Sequence, residues 1–421
     1  MNKQTKSDLL NTFLNLKGNP KWSILTEPLW FIPYSLFTPF ASLYMYQLGL
    51  SSEEIGITIS VGFFLQVFFA LLGGVITDKL GRRLTTVIFD FISWSIPCFL
   101  WAFAQDYTWF LVAAIINASY QITNSSWNCL FIEDCPLEHL TNAFTLTHLT
   151  GMLSVFLSPI AIYYVNLYSV VEVVSVIYFV SGVSMSLKFI ILYLCGNETE
   201  VGKKRIVETK GVSCFQLLSG YGMIIRSVVT SSRMLFVLIF LALTNIILIT
   251  TNNFFSLYIT ETLDISDKFI AVFPMVRTFI MLVFVVLLQN MLNRFQMKKS
   301  LLAGFFLYIL SHIVLLNAPT GNLFFICLYT ILEAMAYATI TPRKDALMAF
   351  YVHAKERARI YAVFNSGMIL LSAPFGYIVG KLFDINPTYP FYFNIILFTI
   401  ALCLIMRVRS IATYDAETSA S

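Results

Sequence analysis

The sequence predicts an all-α integral membrane protein with twelve transmembrane helices in two pseudo-symmetric six-helix bundles. Three observations predict it. Hydrophobic residues make up 58% of the 421-residue chain and charged residues only 12%, about half the charged share of an average soluble domain. Twelve apolar runs are long enough to cross a bilayer, and the basic residues between them fall almost wholly on one side. No soluble fold of this length could hide so much apolar surface, so membrane lipid is its natural surrounding.

A helix needs about 20 apolar residues to cross the hydrocarbon core. Runs of that kind occupy positions 28–48, 55–77, 84–104, 108–132, 142–166, 170–195, 234–260, 267–292, 299–318, 322–345, 358–382 and 388–407. The first 26 residues are polar and mixed, and the run from Leu29 is too long for a signal-peptide core, so it reads as span one.

Lysine and arginine then orient the spans, because loops facing the cytoplasm are enriched in them. With the N-terminus inside, Lys79, Arg82, Arg83, Lys203, Lys204, Arg205, Lys298, Lys299 and Arg357 all fall on the cytoplasmic side, and Lys188 and Arg343 sit at cytoplasmic helix ends. Of the 27 basic residues, only Lys268 and Lys381 fall outside, and Arg277 lies mid-membrane. Both termini are therefore expected in the cytoplasm of a cell-membrane protein.

The polar stretch 197–232 separates an N-terminal bundle, 1–196, from a C-terminal bundle with a short tail, 233–421, and reads as a cytoplasmic linker. Ser213–Gly222 within it has a weak interfacial-helix pattern. The bundles repeat each other. Phe40-Ala41-Ser42-Leu43-Tyr44 recurs as Phe254-Phe255-Ser256-Leu257-Tyr258, Asp78-Lys79-Leu80 aligns with Asn293-Arg294-Phe295, and Pro159 aligns with Pro374, at a steady offset of 214–215.

Between spans two and three stands Gly74-Val75-Ile76-Thr77-Asp78-Lys79-Leu80-Gly81-Arg82-Arg83. This run resembles the G-x-x-x-D-[RK]-x-G-R-[RK] signature of the major facilitator superfamily, at the loop where that family carries it. Gly74 would admit a neighbouring helix closely. The resemblance implies a gating latch. Asp78 would face the N-terminus of span eleven, where the helix dipole favours an anion. Arg82 would pair with an acid at the end of span four, Glu133 or Asp134, with Asp134 preferred. The second copy, Gln289 to Lys298, has Asn293 in place of the acid and would latch weakly.

The resemblance also implies a central cavity walled by spans one, four, seven and ten. Span four carries Asn117, Gln121, Ser125 and Asn128 at helical spacing, bordered by Asn124 and Trp127. Buried amides need partners, either a neighbouring helix or a polar ligand. Tyr34, Thr38 and Ser42 form a ladder on span one; Asn245, Asn252 and Ser256 do so on span seven; span ten shows Tyr329, Glu333, Tyr337 and Thr341. Amides, hydroxyls and rings together suit a neutral, hydroxyl-rich solute, with Trp127 available to stack on a sugar face.

Arg277 and Glu333 sit near mid-bilayer, where each costs about 2.5–3.5 kcal/mol on an insertion scale, so pairing or function is the default reading. Burial opposes the carboxylate and a nearby arginine favours it, so proton occupancy of Glu333 would follow exposure of the cavity. His148 is a weaker candidate. Asp90 is expected to partner the motif arginines.

These readings predict a secondary transporter that moves a small polar solute by alternating access, as a symporter coupled to a proton or another ion and acting as a monomer. A multidrug–proton antiporter is the alternative. Against it, Ser158-Pro159 replaces the Gly-Pro of many such antiporters, and span four has no arginine. No H-E-x-x-H or G-x-S-x-G motif argues for an enzyme, and Gly376 to Lys381 lacks the spacing of a phosphate-binding loop. The seven cysteines are scattered and read as packing residues. No cofactor, metal or nucleic acid is expected.

Overall fold

The computed structural model describes residues 11–213, 216, 221–292, 297–350 and 357–407. Most of the described residues are helical, and twelve spans follow one another in the predicted order. Span one runs through Pro28–Phe37, a tighter turn at Thr38–Phe40, and Ala41–Gln47. Spans two and three are Ser52–Leu80 and Arg82–Ala102. Span four comprises Tyr107–Asn117 and Tyr120–Glu133, and span five Leu137–Val155 and Pro159–Val165. Span six is Val170–Cys195, and span seven Ser232–Thr262. Spans eight to twelve are Val272–Leu292, Met297–Leu316, Leu323–Phe350, Arg357–Ile385 and Tyr389–Arg407. Among the described residues, nine helices are long and apolar enough to cross a membrane. Spans one, four and eight are not among them, and spans one, three and four are each interrupted.

The interruptions have different causes. Span one carries Pro33 and Pro39, which lack the N–H that an unbroken helix needs. Span four breaks at Ala118–Ser119, where no proline or glycine stands. A wider π turn at Phe91–Ser95 interrupts span three, immediately after Asp90.

The repeat shows in the packing. Phe40, Leu43 and Tyr44 of span one are 0–1% exposed, and so are Phe254, Leu257 and Tyr258 of span seven. All six belong to one hydrophobic core. Equivalent residues of the two bundles thus meet at one end of the molecule.

Among the described residues, the hydrogen bonds between the two bundles gather at that end, opposite the Gly74–Arg83 motif. The Gln47 amide donates to Asp267 at 3.0 Å. The Ser158 hydroxyl donates to the Ala271 carbonyl at 3.1 Å. Tyr377 N–H donates to the Ser60 hydroxyl at 2.7 Å. Spans two and eleven lie antiparallel in backbone contact, and a Cβ on Gly376 would come within 2.8 Å of the Gly56 carbonyl. Span two opens with a capping box of Ser51 and Glu54. Asp384 of span eleven adds a cap from the other bundle, accepting from Ser52 N–H at 3.1 Å and Glu53 N–H at 2.8 Å.

Candidate functional site

Below this seal, both bundles wall a central cavity of about 540 Å³. Span one contributes Tyr34, Thr38 and Ser42; span seven Asn252 and Ser256; span eight Arg277; span ten Tyr329 and Glu333. The span-one ladder and two of the three residues of the span-seven ladder therefore converge on this cavity. The Thr38 hydroxyl donates to the Tyr34 carbonyl at 2.6 Å, one turn back along span one. Asn252 is exposed to the cavity, whereas Asn245, two turns away, is half-buried and lines neither cavity described in this subsection.

Arg277 and Glu333 meet in this cavity. Arg277 Nη2 donates to Oε1 of Glu333 at 2.9 Å. Its Nε lies 2.8 Å from Oε2, close enough for charge pairing but not aligned as a hydrogen bond. The guanidinium also lies 4.6 Å from the centre of the Tyr337 ring, a cation–π contact. The Glu333 side chain is 3% exposed and that of Arg277 is 24%, so the pair presents its arginine to the cavity. Tyr337 supports the pair and does not line the central cavity.

A second cavity, about 590 Å³, adjoins the first at Phe31 and belongs almost wholly to the N-terminal bundle. Gln121, Asn124, Trp127, Asn128 and His148 line it, beside Trp30, Trp94 and Tyr120. Gln121 is tied loosely to Gln66 at 3.4 Å and to Tyr120 at 3.2 Å. The Asn128 amide donates to the Asn124 carbonyl at 2.7 Å. One face of Trp127 stacks on Phe131, and its Nε1 is buried without a partner.

Asn117 departs from expectation. Its amide donates to the Ser93 carbonyl at 2.7 Å, satisfying backbone freed by the π turn in span three. The break at Ala118–Ser119 takes Asn117 out of register with Gln121, so it joins two helices instead of lining a cavity.

The motif loop corrects three further expectations. Arg82 Nε donates to Glu133 at 3.1 Å, and its Nη1 reaches Asp78 at 3.1 Å. The preferred partner, Asp134, lies at the helix C-cap, where it accepts from the Asn19 amide at 2.6 Å. Partial burial pushes the Asp134 carboxyl up, and that amide opposes the shift. Close helix approach occurs at Gly73, where a Cβ would meet the Ser125 hydroxyl at 2.9 Å, while Gly74 is half-buried. Asp90 does not reach the arginines. It is buried among Thr123, Lys188 and Glu27.

Gly81 has φ +89°, which a side chain would strain, and it turns the chain into span three. Span three then begins on the carboxylate of Glu198, which accepts from Arg82 N–H at 2.9 Å and Arg83 N–H at 3.0 Å. Glu198 precedes a linker helix, Glu200–Glu208, whose Arg205 pairs with Asp78 at 2.6 Å. Hydrogen bonds to Asp78 and Glu208 push the Arg205 guanidinium further up from its already high range. The Thr199 hydroxyl donates to Glu133. Residues 351–356, which lead into span eleven, lie outside the described residues, as does Asn293 of the second motif copy. Most of Ser213–Gly222 does too.

Sequence reasoning passed over Glu27 and placed Lys188 at a cytoplasmic helix end. Lys188 Nζ stands 3.1 Å from Glu27 Oε1, and both residues are 4% exposed. Lys188 is thus a buried ion, not a cytoplasmic helix-end charge. The helix Gly18–Thr26 continues directly into span one, which carries Glu27 deeper than its distance from the N-terminus suggests.

The Major Facilitator Superfamily model matches residues 29–311 and 246–419 of the chain. No curated protein matches it in sequence. Among solved structures, a point mutant of the nucleoside transporter NupG superposes with a TM-score of 0.75 at 16% identity, over 92% of this chain and 98% of that one. A POT family transporter in complex with 5-aminolevulinic acid gives 0.71 at 15%, over 94% and 96%. The human organic anion transporter TETRAN gives 0.63 at 13%, over 92% and 98%. These identities speak for the fold alone, and the family match covers nearly the whole chain. The chain therefore belongs to the major facilitator superfamily and is a multi-pass membrane transporter of a small solute.

Proposed function

We propose that this protein is a proton-coupled symporter for a small, neutral, hydroxyl-rich solute of the sugar or nucleoside kind, held in the central cavity. It sits in the cell membrane with the motif loop, the linker and both termini in the cytoplasm, and it works as a monomer. The bundles at 1–196 and 233–421 rock about the cavity, and the described conformation is sealed on the outer side.

The observation that carries this reading is the buried Arg277–Glu333 pair in the wall of a cavity otherwise lined by amides, hydroxyls and rings. An arginine turned toward the cavity and balanced by a buried carboxylate leaves no net charge for an ionic solute to meet. Asn252 and Ser256 offer donors and acceptors for hydroxyl groups. A proton on Glu333 would release Arg277 and reset the wall, so proton and solute occupancy become linked.

A thermal-shift screen of sugars, nucleosides, amino acids and cationic dyes on the purified protein tests the solute class, because a ligand of the folded state stabilises it. Neutral hydroxylated compounds should raise the melting temperature, and the active one should drive proton entry into proteoliposomes. Stabilisation by cationic dyes alone would replace this reading with drug efflux.

A further inference from the structure

The cavity of the N-terminal bundle holds an ionic cluster that the Arg277–Glu333 reading does not use. Glu27 precedes span one, Asp90 lies on span three and Lys188 on span six. All three line the cavity and are 4–7% exposed. Lys188 is committed to Glu27 at 3.1 Å, and its ammonium lies 6.0 Å from the Trp30 ring centre. Among the described residues, Asp90 makes no ion pair of its own, and Lys188 acts on it only from beside Glu27. The Thr123 hydroxyl, 5% exposed and in the same wall, faces Asp90 but completes no hydrogen bond of normal geometry.

Two carboxylates and one ammonium leave one negative charge in a buried, aromatic setting, which is costly without a compensating cation. A metal ion fits poorly. Lys188 already occupies the cationic place beside Glu27, and among the described residues no group of three or more His, Cys, Asp or Glu side chains is placed to hold one. A proton fits well. On Asp90 it removes the excess charge, and its O–H can donate to the Thr123 hydroxyl. The other titratable groups facing this cavity are Tyr120 on span four and His148 on span five. The motif arginines are engaged elsewhere, Arg82 with Asp78 and Glu133 and Arg83 with the Tyr193 carbonyl.

We propose that Asp90 is a second proton-binding site, in the bundle opposite Glu333, exchanging its proton with the cavity that adjoins Phe31. Each bundle then carries one titrating carboxylate, and the transporter moves two protons per cycle. The two-proton cycle rests on the proton-coupled reading above; protonation of Asp90 does not.

Infrared difference spectroscopy during a pH titration of the purified full-length protein reads protonated carboxyls directly, with the proton itself as the probe. In the wild type, the carbonyl stretch of buried protonated carboxyls should contain an Asp90 component. Asp90→Asn should lose that component, and Glu333→Gln should retain it whether or not Glu333 itself titrates. Lys188→Gln, which removes the ammonium, should hold the Asp90 proton to higher pH. Should Asp90→Asn fail to fold, Asp90→Glu keeps the acid and should shift the frequency of the same component. A spectrum unchanged by either Asp90 substitution overturns the proposal.

Discussion

Arg205 and Asp78, 127 residues apart in sequence, meet at 2.6 Å, so the linker holds the acid of the motif. The Thr209 hydroxyl adds a bond to the Asp78 carbonyl at 3.1 Å, and Lys79 donates to the Val212 carbonyl at 2.6 Å. The linker is thus docked on the motif loop. In this conformation it competes for the carboxylate that the family resemblance assigns to span eleven.

Arg205→Ala should free Asp78 and favour closure at the motif end. Arg205 is 40% exposed, so the stability change should stay below about 1 kcal/mol. Spin labels at Leu80 and Arg233 should report a shorter mean distance. An unchanged distance distribution would remove the linker from the gating cycle. Asp78→Asn is the less decisive variant, because it weakens both contacts of the acid at once.

Asp384→Ala should loosen the opposite end. It removes the cap that span eleven provides to span two, a contact of about 1 kcal/mol, or roughly a five-fold change in populations. Labels at Phe103 and Lys381 should move apart. Gly56→Ala should act in the same direction, because its Cβ would run into the Gly376 carbonyl, and overpacking of this kind costs about 1–3 kcal/mol. Unchanged distances in both variants would mean that this contact does not hold the seal.

Asn252→Ala should weaken solute binding by about 1–2 kcal/mol, the usual cost of leaving one polar partner unpaired. Its melting temperature should stay at the wild-type value, because Asn252 is exposed to the cavity. Gln121→Ala should lower the melting temperature, because Gln121 meets Gln66 and Tyr120, and leave the affinity near the wild-type value, because it lines the second cavity. Calorimetric titration with the compound found by thermal shift checks both variants. Wild-type affinity in Asn252→Ala would place the solute elsewhere.

Glu333→Gln should abolish accumulation driven by a pH gradient yet preserve solute exchange without one. Glutamine mimics the protonated acid, so a loaded carrier can still reorient. Were Glu333 only a counter-ion, the variant would lose about 3–5 kcal/mol of stability through the unpaired Arg277, and Arg277→Gln would restore it. Gradient-driven uptake by a stable variant would end the coupling role.

Much of this architecture was legible because the repeat encodes it. The pentapeptides at Phe40 and Phe254 occupy equally buried places in one core. The choice between Glu133 and Asp134 was not legible, since neighbouring residues on a helix point about 100° apart and only the C-cap geometry decides. Asn117 escaped for a similar reason, as the break after it follows no proline or glycine. Lys188 was misjudged because charge counting assigns a lysine near a helix end to water, while a partner 161 residues upstream keeps it buried. Gly73 took the role expected of Gly74 because span four passes on its side of the helix.

The contact of spans two and eleven has a mechanical consequence. Gly56 and Gly380 put two backbones together near one end of each rod, which makes that point a pivot. The rest of span two, from Gly56 to Leu80, is a lever arm about 36 Å long at 1.5 Å per residue. A tilt of roughly 10° about the pivot swings its far tip through about 6 Å, the width of a small sugar ring. The helices need not bend for the path to open; a stiff arm and a fulcrum of glycines suffice.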